Sequence, residues 1–168
     1  MQLANLGQSA QLVLASFLEQ FALIEGFDMP PGAYVGAGNI PWDGEGVYVY
    51  LGSTGSGQPG KPQGTTIPTA TIMVQFVTLY IQIVRRVSTF GFFTSGAPQP
   101  ASDEQLNADG VVAMDDVSAL LTAALAIRKA GTLTNSQQAG FVIGPVTAIG
   151  PEGGFAAMRL QLDLQLDS

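Results

Sequence analysis

The sequence predicts a single α+β domain over residues 1–168, a largely antiparallel or mixed β-sheet flanked by an N-terminal helix and a long helix near 102–130. Three observations carry that expectation: two segments with apolar residues at helical spacing, several β-branched or alternating segments, and their order along the chain, α, β, long β, α, β, β. No repeat of 20–50 residues interrupts that order.

From Ser9 to Glu25, apolar residues fall at Ala10, Val13, Leu14, Phe17, Leu18, Phe21 and Ile24, the spacing of one buried helical stripe, and the helix should end near Gly26. Pro30-Pro31-Gly32 and the glycines at 36 and 38 then open an extended loop that runs through Pro41-Trp42-Asp43-Gly44-Glu45-Gly46. Val47–Leu51 reads as a short strand. Residues 52–64 hold five glycines and two prolines, which predicts a flexible contact loop rather than a strand. Thr69–Val87 is β-branched or aromatic almost throughout with apolar groups at both parities, as in a long strand or strand pair buried on both faces, and Arg85-Arg86 mark its approach to solvent.

Ser102 with Gln105 three residues on has the pattern of a capping box, Asp103 and Glu104 suit a helix N-terminus, and Arg128-Lys129 precede Gly131 at the other end. The helix between them is expected to bury Leu106, Ala113, Val117, Leu120, Leu121, Ala124 and Ile127 and to turn Asp115, Asp116 and Ser118 outward, with a break at Gly110 conceivable. Phe141–Ile149 reads as a strand, Pro151-Glu152-Gly153-Gly154 as a turn, and Phe155–Asp167 as a second strand. In that last strand Met158, Leu160, Leu162, Leu164 and Leu166 alternate with polar residues, so one face is buried and the other is solvated or covered by polar contacts.

Composition narrows function. A chain of 168 residues is long enough to bury about two thirds of its unfolded surface. Only 11% of it is charged, far below the usual quarter, so much of the surface must be neutral and polar, as in proteins whose surface ends up covered by partners. Thirteen acidic against six basic residues leave no basic stripe able to neutralise phosphates, which argues against nucleic-acid binding. The absence of Cys and His excludes disulfides, thiolate and Ser-His-Asp catalysis, and zinc sites built on sulfur or imidazole. The start carries no signal-peptide pattern, and the apolar run from Ile72 to Val84 is interrupted and too short to span a bilayer, so a protein made in the cytoplasm without a membrane anchor is expected.

Several motifs are incomplete. Gly55-Ser56-Gly57-Gln58-Pro59-Gly60-Lys61 fits the first seven positions of a phosphate-binding loop, but Pro62 stands where the magnesium-binding hydroxyl belongs and the prolines that follow prevent a helix. Gln105, Asn107, Asp109, Gly110 and Asp116 have calcium-loop spacing but begin with Gln and lie on the expected helix. Asp43 and Glu45 form an acid pair in a glycine-rich turn, a common and unspecific arrangement. No catalytic residue, cofactor or metal ligand is expected. Trp42, the one tryptophan, reads first as a plug at the edge of a core.

Taken together the segments resemble a known family. The amphipathic first helix, Pro41-Trp42-Asp43-Gly44-Glu45 before Val47-Tyr48-Val49-Tyr50-Leu51, the Gln58-Pro59-Gly60-Lys61-Pro62-Gln63 loop and the long strand ending Ile83-Val84-Arg85-Arg86-Val87 look like the tail terminator, or head-to-tail connector, proteins of long-tailed noncontractile bacteriophages. The Pro-rich link 97–100, the helix carrying Asp116 and Leu120-Leu121, and Gly150-Pro151-Glu152-Gly153-Gly154 before the last strand extend the likeness over nearly the whole chain. Where those proteins often carry a Cys after the Trp-Asp turn and an Arg-Cys-Val-Pro run after the long strand, this chain has Gly46 and Arg86-Val87-Ser88.

The resemblance implies a small nonenzymatic α+β virion protein that forms a homohexameric ring at the tail-neck junction. Such a ring caps the head-proximal end of the tail tube, stops polymerisation of the major tail tube protein and offers a surface to a head-completion or neck protein. DNA would pass through its lumen without specific binding. A neck or head-completion connector acting on the portal side is the alternative. Candidate contact residues are Trp42, Asp43 and Glu45 of the turn, Gly55, Gly57, Gln58 and Lys61 of the loop, and Arg85 and Arg86 at the strand end.

Overall fold

A computed structural model of the chain describes residues 6–36, 44–57, 74–88, 91–92, 98–131, 133, 141–152 and 154–165. Its elements are α1 (Leu6–Ala22), β1 (Gly32–Gly36), β2 (Gly46–Gly57), β3 (Val74–Arg86), β4 (Gly91–Phe92), β5 (Pro98–Gln99), α2 (Asp103–Ala130), β6 (Phe141–Glu152) and β7 (Phe155–Gln165). Five strands form a mixed sheet in the order β1-β2-β3-β7-β6, in which only the β1·β2 pair is parallel. β4 and β5 form a separate two-residue ladder.

Both helices lie on one face of the sheet, α1 over β1 and β2 and α2 over β6 and β7, and they touch each other. The α1 stripe buries Ala10, Val13, Leu14, Phe17 and Phe21 as its spacing predicts. Phe17 and Phe21 meet edge to face at 5.8 Å, and Phe27 of the following turn packs on Phe21. Beneath them lie Val47 and Val49 of β2, Val77, Leu79, Ile81 and Ile83 of β3, and Leu160, Leu162 and Leu164 of β7, all in one cluster. β3 sits between β2 and β7 and is paired along both edges; Val77, Leu79, Ile81 and Ile83 enter the core, while Val84, of the opposite parity, is buried with Tyr48 and Ala157.

α2 begins as its sequence dictates. The Ser102 side chain accepts from the Gln105 amide, and the Ser102 amide in turn donates to Gln105 Oε1. It ends at Gly131, whose φ of 68° is left-handed and whose amide reaches back to the carbonyls of Ile127 and Arg128. The helix runs through Gly110 without a break.

Three expectations are corrected. The loop expected from residue 52 begins later: β2 continues to Gly57, so Gly55 and Gly57 are strand residues paired with Phe76 and Val74. The cost of glycine in a strand is met by a full antiparallel ladder against β3, with a register shift between Leu51 and Ser53. Gly32–Gly36, expected as loop, is a parallel edge strand on β2. On α2, Asp116 faces inward and is 1% exposed, whereas Leu106 and Leu121 are exposed. Residues 58–64, including Gln58 and Lys61, and the turn residues Trp42 and Asp43 lie outside the described residues.

Gly52 illustrates how closely the sheet is built, since a Cβ there would stand 2.4 Å from the Tyr80 ring. Gly52→Ala must displace that ring. The substitution is expected to destabilise the fold by about 1–3 kcal/mol, read by chemical denaturation, while Gly7→Ala, at a position with open space around it, stays neutral or slightly stabilising.

Candidate functional site

Residues scattered over the sequence meet at one end of the sheet. The Arg85 guanidinium, at the end of β3, holds Asp116 of α2 through Nη2 to Oδ1 at 2.7 Å and through Nε to Oδ2 at 3.1 Å. Its Nη2 also donates to the Asp28 carbonyl, and the guanidinium lies 5.7 Å from the centre of the Phe27 ring. Next to it the Arg86 amide donates to Glu45 Oε1 at 2.9 Å, and the Arg86 guanidinium lies over Phe155 at 5.5 Å. The Val87 amide donates to the Gly154 carbonyl, and the Ser88 amide to Asp109 of α2 at 2.7 Å.

A cleft of about 200 Å³ opens between these groups, lined by Asp28, Glu45, Arg86, Asp109, Asp116 and Met158 among others. Most of its charged groups have internal partners: Asp116 is bound by Arg85, and Glu45 and Asp109 cap backbone amides. The cleft therefore ties three segments together through the carboxylates of Asp116, Glu45 and Asp109. Burial pushes the Asp116 carboxyl above the usual aspartate range; the hydrogen bonds and charge of Arg85 pull it back in part, and the charges of Asp115 and Asp28 add to the rise.

The second distinctive surface is the sheet face away from the helices. Tyr34 stacks on Tyr48 at 5.0 Å, and Tyr50 packs against Tyr80 at 5.3 Å. Arg159 lies 4.5 Å over the Tyr80 ring and donates from Nη1 to Tyr50 Oη, which in turn donates to Gln82 Oε1. Thr78 Oγ1 donates to Asp163 Oδ1 at 2.6 Å, and Gln161 Nε2 approaches the same carboxylate. Tyr48, Tyr50, Thr78, Gln82 and Asp163 are buried by this network without a helix above them.

The third is the outward side of α2. Val111, Met114 and Leu125 are 61%, 73% and 58% exposed. By length and composition this helix is apolar enough to cross a membrane, yet a third of its apolar stretch is packed inside the fold and Asp115 and Asp116 stand midway along it.

Of the sequence-derived contact residues, Glu45, Arg85 and Arg86 come together at the cleft, while Gly55 and Gly57 lie in the part of β2 that pairs with the first residues of β3. Arg85, expected at a solvated strand end, is engaged within the chain. The tyrosine face went unread, although the alternation of Tyr48 and Tyr50 with Val47 and Val49 signals two differently used faces. No protein-family model matches the chain, and no curated protein matches it.

Two outcomes are expected at the Arg85 pair. Asp116→Ala, which strands a largely buried guanidinium, should cost about 3 kcal/mol in chemical denaturation. The folded chain also holds the Asp116 proton more tightly than the unfolded chain does. Its contribution to stability therefore falls as pH rises from the ordinary 3.8 through the raised value and is constant above it. Asp116→Asn removes that falling segment, so the stability difference between wild type and variant should shrink across that window; a difference independent of pH would contradict the assignment.

Proposed function

We propose that this chain is a structural virion protein of the tail terminator type. It would form a ring on the head-proximal end of a tail tube, stop the tube's growth and present the surface that joins the head. The observation that carries the reading is convergence. Segments quoted for the resemblance, far apart in sequence, meet at one junction: Glu45 of the turn before β2, Arg85 and Arg86 at the end of the long strand, Asp116 of α2, and Gly154 at the turn before the last strand.

The surfaces also support an assembly role. A ring subunit needs heterologous contacts that close on themselves and further faces for the tube and the neck. This small fold exposes an edge strand, β1, with Tyr34 and Val35 open to solvent. At the junction Asp116, Glu45 and Asp109 are each engaged by a partner within the chain, a holding role that suits a structural protein. Trp42, Asp43, Gln58 and Lys61 are proposed contact residues of the ring or tube.

Disrupting the gene in a phage that encodes it, and viewing the lysate by negative-stain electron microscopy, tests the reading. Overlong tails without heads are expected. Tails of normal length beside unattached heads would instead assign a connector on the portal side, and normal virions would overturn both.

A further inference from the structure

The exposed side of α2 has a regular pattern. Val111, Met114, Ser118, Leu121 and Leu125 follow at steps of three and four residues, which is the a/d seam of a coiled coil on the side of the helix turned away from the core residues Leu120, Ala123, Ala124 and Ile127. The same steps continued outward reach Asn107 and Glu104 at the N-terminal end and Arg128 at the C-terminal end.

We infer that this seam pairs with the α2 seam of a second copy of the chain, antiparallel, about a two-fold axis level with residue 116. Charge complementarity selects that partner and that register. Antiparallel helices set a and d positions opposite each other, so Met114 meets Ser118 of the second copy, Val111 meets Leu121, and Asn107 meets Leu125. The next layer then brings Glu104 against Arg128 at both ends, and the helix dipoles oppose. A parallel pair would place Asp103 and Glu104 against their own copies and Arg128 and Lys129 against theirs. Sliding by one heptad puts Arg128 on Val111 and leaves both acids without a partner. Ser118, the small residue of the seam, lies next to the axis, where the two helices approach.

One repulsive contact comes with this register: Asp115 of each copy flanks the axis on the same side. On the other flank Ala113 and Val117 carry no charge, and the inward Asp116 is held by Arg85 of its own chain. A two-fold contact closes on two copies, whereas a ring needs a head-to-tail surface. The inference therefore stands apart from the ring reading, and its failure leaves that reading untouched.

Sedimentation equilibrium of the full chain, up to about 100 µM, is the first measurement, and a dimer is expected. Met114→Glu and Leu125→Glu should each weaken it by about 30-fold or more, with far-UV circular dichroism unchanged because both side chains are exposed. Glu104→Arg should weaken it and Glu104→Arg with Arg128→Glu restore it, while Asp115→Asn should tighten it. Since the chain has no cysteine, register is read directly: the Val111→Cys/Leu121→Cys protein should oxidise to a covalent dimer. Val111→Cys alone should not, because the two copies of residue 111 lie about 15 Å apart along the axis.

A monomer throughout that concentration range overturns the proposal. So does a dimer that ignores both Glu substitutions, or equal cross-linking of the single-cysteine variant. Flotation of the chain with phosphatidylcholine vesicles, abolished by the same Glu substitutions, would overturn it in favour of a bilayer as the partner of α2.

Discussion

The architecture depends on the pair between Arg85 and Asp116. The guanidinium sits where β3 leaves the sheet, and from there it reaches the middle of α2 and the carbonyl of Asp28 in the link between α1 and β1. One planar group with several donors thus fixes the long helix, the central strand and the first helix relative to one another. Its value is positional more than energetic, because a buried pair recovers little beyond its desolvation. The raised Asp116 carboxyl reflects that balance, with burial outweighing the attraction of the arginine.

From this corner the burden shifts to β3. One side of the strand supplies Val77, Leu79, Ile81 and Ile83 to the core beneath the helices, and the other supplies Thr78, Tyr80, Gln82 and Val84 to the face away from α1 and α2. A central strand cannot leave that second face bare without exposing its neighbours. Tyrosine resolves the conflict, since its ring covers the sheet while its hydroxyl bonds to Gln82 or to the Gly44 carbonyl. Arg159 adds a third layer, lying over Tyr80 while donating to Tyr50. The outcome is a hydrogen-bonded polar layer in which Tyr50, Thr78, Gln82 and Asp163 are buried.

What was legible in the sequence was local. The α1 stripe, the capping box at Ser102, the glycine stop at Gly131 and the leucine alternation of β7 each depend on residues a few positions apart, and each stands as read. What was hidden depended on distant pairing. β1 is five residues long and gains its strand character only from β2 alongside it, and the glycines of β2 beyond Leu51 are held by a ladder to β3. Asp116 looked like a solvent residue beside Asp115 because the partner that justifies its burial is 31 positions away. The same blindness applied to the junction: Glu45 and Arg86 are both ordinary surface residues until the fold brings the carboxylate to the amide.

Five of the six basic residues lie in the described part of the chain and show how charge serves the structure. Arg85 is held in an ion pair, Arg86 and Arg159 lie over aromatic rings, and Arg128 and Lys129 end α2. Three of the six positive charges therefore meet partners within the subunit, and two carboxylates, Asp116 and Asp163, are buried with partners of their own. With 13 acidic against six basic residues, the net charge of −7 repels phosphate.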